Sequence, residues 1–96
     1  MSFRSQKLLR ALRGRGCVLC GATDGCASAH ANSVELGKGM GIKAADYYSA
    51  WLCRRCHCLI DGRIGRLSHD EQQAMWTRAY LKTVALWFDE GIVVVK

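Results

Sequence analysis

The chain has 96 residues, half of them hydrophobic, with fourteen basic and eight acidic side chains, six cysteines and no proline. This length predicts a single domain whose hydrophobic core is small enough to need a further source of stability. No apolar run approaches the about 18 residues of a membrane-spanning helix and the start has no secretory signal, so we expect a cytoplasmic protein without a membrane partner.

The first half of the chain predicts one helix and one strand. Residues 2–13 form a basic amphipathic stretch that ends at Gly14, which is typical of a short helix. Residues 17–25 contain a Cys-x2-Cys pair and turn residues. Residues 26–34 alternate weakly between small and other side chains, which favours a short strand or hairpin. A glycine-rich basic loop at 37–41 follows, and it does not match the Walker sequence.

The next predicted element is a helix that carries a second Cys-x2-Cys pair. Residues 47–52 lead into this pair. The helix is expected to begin near Cys53, to run to Asp61 and to stop at Gly62, because glycine often follows the last helical residue.

The longest helix is predicted over roughly residues 69–89. Ser68-x2-Glu71 matches a capping box at its start. Aromatic and apolar side chains recur every three or four residues along it, as in a helix face that packs on a core. Ile92–Val95 is β-branched and predicts a short strand, which would pair within the domain or across the edge of a homodimer.

The two Cys-x2-Cys pairs predict a four-thiolate zinc site. Each pair can bring two sulfurs to one metal from a tight turn, and two such turns complete a tetrahedron. Six cysteines could instead form disulfides, but we expect a reducing compartment, where zinc is favoured. Cys26 and Cys58 fall outside the paired spacing and are interpreted as ordinary small buried residues or spare thiols. The predicted zinc ligands are Cys17, Cys20, Cys53 and Cys56.

The basic side chains indicate a polyanionic partner. The formal net charge is +6, and the basic residues occur in clusters. Charge runs are often no more than a solvated surface, but two of these arginines lie between predicted zinc ligands. We therefore expect DNA as the partner, contacted with help from the amino-terminal helix by Lys38, Arg54, Arg55 and Arg63.

Two histidines and one aspartate could carry chemistry. His57 and Asp61 are i and i+4 on the second predicted helix, so both project from one face and could hold a divalent ion such as Mg²⁺ or Mn²⁺. His30, in the predicted strand, could be a general base because its ordinary pKa of about 6.5 keeps it neutral near pH 7. The alternatives are a structural histidine and a surface pair, and His57 could also be a zinc ligand.

These residues follow one another in a fixed order, which is Cys17-x2-Cys20, Ala29-His30 and Cys53-x2-Cys56-His57-x3-Asp61. This order resembles the HNH endonuclease superfamily, whose fold is also called the His-Me finger or ββα-metal fold. Residues 37–43 and 50–57 look like a small family of prophage-encoded proteins regarded as nucleases. The match covers roughly residues 13–66.

The resemblance implies an α+β fold in one domain over residues 1–96. A zinc-stapled ββα core at about 13–66 would carry a flanking helix on each side, the second at about 68–90. His30 matches the general base of the family, His57 matches the metal-binding histidine of the helix, and Asp61 lies where a second helical ligand often occurs.

Two positions depart from the family pattern. Ala29 stands where many relatives have a metal ligand, and the middle asparagine of the motif has no equivalent before Cys53, where Asp46 or Ser49 could take its place.

Two functions therefore compete. One is a metal-dependent endonuclease that cuts DNA in phage or prophage processing or recombination. The other is an inactive zinc-stapled DNA-binding module that acts beside a phage recombination protein.

Overall fold

A computed structural model of the chain describes residues 4–31 and 45–95. The predictions made for Lys38 and for the loop at 37–41 lie outside these residues, as does Asn32. The described elements form a small α+β fold, in the order α1 (Gln6–Arg10), β1 (Ala27–His30), β2 (Ser49–Leu52), α2 (Arg54–Ile60) and α3 (His69–Asp89). None of these helices is long and apolar enough to cross a membrane.

The two strands form an antiparallel sheet at the centre of the fold. Their register pairs Ala27 with Leu52 and His30 with Ser49. All four residues of β2 are buried. Because successive side chains of a strand point to opposite faces, this burial means that both faces of β2 are covered.

Each face of the sheet packs against a different hydrophobic cluster. One cluster surrounds the cysteine pairs and includes Ala29, Ala50 and residues of α2 and α3 such as Trp76. The other contains Leu12, Trp51 and Trp87, with Leu8 of α1 against it. The first helix thus packs on one face of the sheet and α2 on the other, whereas α3 contributes Trp76 and Ala79 to one cluster and Trp87 to the other.

The open edge of β2 is closed by α3. The Trp51 backbone N–H donates a hydrogen bond of 2.9 Å to the Thr83 hydroxyl, which in turn donates to the Ala79 carbonyl at 2.9 Å. All three residues are buried. A buried N–H without a partner would cost about 1–3 kcal/mol. The Thr83 hydroxyl therefore replaces the hydrogen bond that a third strand would accept, since the described residues form only two strands.

The predicted α2 and α3 are confirmed at their ends. Cys53 is the N-cap of α2, and its sulfur accepts from the Cys56 N–H. Ser68 and Glu71 form the capping box of α3, with hydrogen bonds of 3.1 and 2.9 Å between side chains and backbone. Local capping chemistry thus fixes where both helices begin.

The first helix is shorter than predicted. Ser5 caps it and the helical residues are Gln6–Arg10, not 2–13. After Arg10 the backbone hydrogen bonds span three residues, as in Arg13 N–H to the Arg10 carbonyl at 3.2 Å. Such bonds tighten the chain into turns, and Gly14 then reverses it at a φ of 86°.

The predicted strand at Ile92–Val95 is wrong, since the structure has no strand in this segment. Gly91 ends α3 at a φ of 73°, and the N–H groups of Ile92 and Val93 both donate to the Trp87 carbonyl. The chain therefore turns back on α3, and both side chains pack beside Trp87. High strand propensity gives no strand here because the Trp87 carbonyl takes the backbone N–H groups of Ile92 and Val93 at the end of α3.

Candidate functional site

Both Cys-x2-Cys pairs are held in turns that direct their sulfurs to one point. In the first turn the Cys17 N–H bonds to the Ala22 carbonyl at 2.8 Å and the Gly21 N–H bonds to the Cys17 carbonyl at 2.9 Å. The second pair occupies the N-cap and first turn of α2. As a result, the sulfurs of four cysteines lie within 4.8 Å of one another: Cys17, Cys20, Cys53 and Cys56.

This sulfur cluster fits a tetrahedral metal ion. Zn–S bonds of about 2.3 Å place the sulfurs about 3.8 Å apart in a tetrahedron. The Cys20 sulfur lies 3.6 Å from that of Cys53 and 3.8 Å from that of Cys56. A disulfide needs about 2.05 Å, and every cysteine is a free thiol. The four cysteines could therefore bind a structural metal such as zinc.

The pKa values of the cluster thiols also favour a bound metal ion. Burial raises the pKa of the Cys17 thiol, but hydrogen bonds from neighbouring backbone N–H groups outweigh it and bring that pKa down to about 7. Burial and the three adjacent thiols raise the pKa of Cys56. Four thiolates this close cannot ionise together without a cation, so a metal ion would complete the site.

Cys26 and Cys58 do not belong to the cluster, as the sequence predicted. The Cys26 thiol donates to the Ala22 carbonyl at 3.1 Å. Both side chains are partly buried. They are separate thiols beside the metal site rather than ligands of it.

His30 is the last residue of β1, and a buried aspartate binds its ring. The distance from Nε2 of His30 to Oδ1 of Asp46 is 2.8 Å. The His30 side chain is 15% exposed and that of Asp46 is 3% exposed, so the imidazole has limited access to solvent and the carboxylate almost none.

Three donors converge on Asp46. Besides His30, the Arg4 guanidinium lies 3.1 Å from Oδ1 and the Ser5 N–H donates to Oδ2. Burial opposes ionisation of this carboxyl, but the hydrogen bonds from His30, Ser5 and Arg4 outweigh it and lower the pKa of Asp46. Asp46 is therefore an anion at neutral pH, held between β1 and the start of α1.

Sequence reasoning named Asp46 and Ser49 only as replacements for a missing asparagine. In the structure the Ser49 hydroxyl donates to the Asp46 carbonyl at 2.7 Å and so fixes the turn that presents the carboxylate. The link between His30 and Asp46 joins positions 16 residues apart. No local pattern in the sequence indicates such a contact.

His57 and Asp61 form a second pair on α2. Their Nε2 and Oδ2 atoms are 3.3 Å apart, and both side chains are about one-third exposed. Asp61 is also the C-cap of the helix, and Arg63 reaches its carboxylate at 3.9 Å. Among residues 4–31 and 45–95, only the four-cysteine cluster unites three or more potential metal ligands, so this pair has no third partner there.

The predicted DNA-contacting arginines lie on the surface. Arg54, Arg55 and Arg63 are all exposed. The backbone N–H of Arg54 bonds to the Asp24 carbonyl at 3.1 Å, and its side chain lies over Gly25. The start of α2, beside the cysteine cluster, and the segment after this helix thus carry exposed positive charge, as a phosphate-binding surface requires.

Comparison with known proteins gives a structural relative. No family model and no curated protein matches the chain. A solved structure from Escherichia coli str. K-12 substr. MG1655, described as a "putative bacteriophage protein", superposes with a TM-score of 0.64 at 23% sequence identity. The match covers 88% of this chain and 99% of that chain. The two chains therefore share a fold.

Proposed function

We propose that this chain is a metal-dependent endonuclease that hydrolyses DNA phosphodiester bonds in phage or prophage DNA processing or recombination. The observation that carries the proposal is the 2.8 Å contact between His30 and the buried Asp46. A histidine fixed by a buried carboxylate, beside a cysteine cluster and on an antiparallel hairpin followed by a helix, is an arrangement suited to phosphodiester hydrolysis.

The role of His30 follows from its hydrogen bond. An ionised Asp46 can only accept a hydrogen bond, so Nε2 of His30 must carry the hydrogen that it donates, and Nδ1 of the neutral ring carries the lone pair. That nitrogen would remove a proton from the attacking water. The adjacent carboxylate would then stabilise the imidazolium that forms, as the aspartate does in a serine hydrolase triad.

The α2 pair is the proposed site for a divalent ion. His57 and Asp61 offer one nitrogen and one oxygen 3.3 Å apart on a partly exposed helix face. Mg²⁺ or Mn²⁺ commonly keeps several waters and uses few protein ligands, so a two-residue site fits such an ion. When bound, the ion would supply charge neutralisation at the phosphate.

The phage context is supported by the shared fold. The Escherichia coli relative is described as a bacteriophage protein, and almost its entire length aligns with this chain. The sequence resemblance to HNH enzymes is independent of that superposition. Together they favour a nucleic-acid substrate over a small molecule, in agreement with the net charge of +6.

A second candidate is a zinc-stapled DNA-binding module without hydrolytic activity. It is favoured by one observation: in the described ranges, His57 and Asp61 have no third His, Cys, Asp or Glu ligand beside them. The strand position that could supply one is Ala29, which is buried. This module would use the same surface and the same cysteine cluster.

Nicking of supercoiled plasmid separates the two candidates. Zinc-loaded protein should nick DNA when Mg²⁺ or Mn²⁺ is added, and His30→Ala should abolish nicking while zinc content and DNA affinity persist. His69→Ala is the matched control, because His69 is exposed at the start of α3. Nicking by His30→Ala at the parental rate would refute the general base. A parent that is inactive with every divalent ion but still binds DNA would support the binding module.

A further inference from the structure

A cavity of about 350 Å³ lies between α1 and the α1-facing side of the sheet. Ser28 and His30 of β1, with Trp51 of β2 opposite Ser28, form its floor. The Ser28 hydroxyl donates to the Leu9 carbonyl at 3.4 Å and ties this floor to α1. The volume is at the lower end of the about 300–1,000 Å³ typical of ligand pockets.

The wall that α1 contributes is basic. Gln6, Arg10 and Arg13 line the cavity, and these positions share one helix face and its continuation. Among residues 4–31 and 45–95, no aspartate or glutamate lines it. A cavity with two guanidinium groups and no acidic side chain attracts an anion.

These two arginines differ from the other arginines of this part of the chain. Arg4 pairs with Asp46, and Arg15 pairs with Glu90. In the described residues, Arg10 and Arg13 have no carboxylate partner within 4 Å. Two exposed guanidinium groups without a carboxylate partner, on the α1 wall of a cavity that His30 borders, are available for an external ligand.

We propose that this cavity binds a backbone phosphate of the nucleic-acid strand, next to the phosphodiester on which His30 acts, with Arg10 and Arg13 as its ligands. Guanidinium groups present planar pairs of donors that match phosphate oxygens. The place of this phosphate beside the scissile bond rests on the proposed function. The affinity of the cavity for phosphate does not.

The test compares two double variants that remove equal charge. Arg10→Gln/Arg13→Gln removes the cavity arginines. The control, Arg78→Gln/Lys82→Gln, removes two exposed charges of α3, neither of which lines the cavity. Circular dichroism and zinc content check that both variants fold. Binding of a short fluorescein-labelled duplex, without divalent ions so that no cleavage occurs, is followed by anisotropy.

The cavity variant should bind about tenfold more weakly than the parent, and the control by less than about twofold. Its plot of log K against log salt should be shallower by about 0.9, the value for one lost phosphate contact. Inorganic phosphate should shift the side-chain Nε–H signals of Arg10 and Arg13 in NMR spectra, but not that of Arg78. Equal weakening in the two variants, or no shift at either arginine, would overturn the proposal.

The outcomes for the cavity and for hydrolysis are separable. If the parent cuts no plasmid but the cavity variant alone loses affinity, the nuclease is refuted and the phosphate site stands. If the parent cuts plasmid and the cavity variant binds and cuts like the control, the phosphate site is refuted and the nuclease stands.

Discussion

Asp46→Asn tests the buried carboxylate that connects α1 to the candidate base. The substitution keeps the shape of the side chain but replaces an anion that accepts from His30, Ser5 and Arg4. The amide cannot accept at both positions, because its nitrogen is a donor and faces another donor. We therefore expect a less stable protein whose fold and zinc content are unchanged.

The magnitude follows from the three hydrogen bonds. A hydrogen bond to a charged group contributes about 1.5–3 kcal/mol to stability, and one between neutral groups contributes about 0.5–1.5 kcal/mol. Replacing the Asp46 carboxylate by a neutral amide should therefore weaken each of its hydrogen bonds by about 1 kcal/mol. The Arg4 side chain is 46% exposed, and solvent screening makes its share small. The bonds from His30 and Ser5 then give a loss of about 2 kcal/mol, or about 8–16 °C in melting temperature for a domain of this size.

Thermal and denaturant unfolding of zinc-loaded protein measures this loss, with Asp24→Asn, an exposed carboxylate, as the control. The pKa of Asp46 is depressed below its ordinary 3.8, so its contribution is present above that pH and is lost as pH falls through the folded-state pKa. A stability difference between parent and variant should therefore be present at neutral pH. An Asp46→Asn protein as stable as the control within about 0.5 kcal/mol would refute the network.

Three further predictions concern the metal, the DNA and the sheet edge. Cys20→Ser should lower the bound zinc measured by elemental analysis and cause partial unfolding, whereas Cys58→Ser, outside the cluster, should retain one zinc per chain; equal zinc in both would contradict the assignment. If about four phosphates are neutralised, log K for DNA should fall against log salt with a slope of roughly −3.6, and a salt-insensitive affinity would contradict phosphate contacts. Thr83→Val should cost about 2 kcal/mol in denaturant unfolding because it leaves the Trp51 N–H unpaired, while Thr83→Ser should cost much less; equal losses would mean that the methyl group, not the hydroxyl, matters.

The parts of this fold that the sequence predicts well are those determined by neighbouring residues. The capping box fixes the start of α3 and involves only the four residues from Ser68 to Glu71. The Cys-x2-Cys spacing likewise fixes each turn that presents two sulfurs. Both patterns need no knowledge of the rest of the molecule. For the same reason the predicted bounds of α2 and α3 agree closely with the structure.

The parts that the sequence does not predict depend on distant partners. The β-branched residues at 92–95 have strand propensity, but the edge of β2 is already closed by Thr83 and the segment turns back on Trp87. The hydrogen bond between His30 and Asp46 and the cavity beside α1 likewise depend on how α1 packs on the sheet. Strand propensity and charge runs describe what a residue can do, and the packing decides whether it does so.

The packing of α3 on the sheet explains why a small residue, Ala29, precedes His30. Ala29 is 2% exposed, and its carbonyl accepts a hydrogen bond of 2.9 Å from the Trp76 indole. Ala50 and Ala79, both fully buried, let the helix lie close to the sheet. A longer metal-binding side chain at position 29 would have to displace that helix, at a cost of about 1–3 kcal/mol for overpacking. Close packing on this face therefore leaves no room for a metal-binding side chain at position 29. Hydrolysis by this chain would depend instead on His30 with Asp46, on the pair of His57 and Asp61 in α2, and on phosphate contacts from α1.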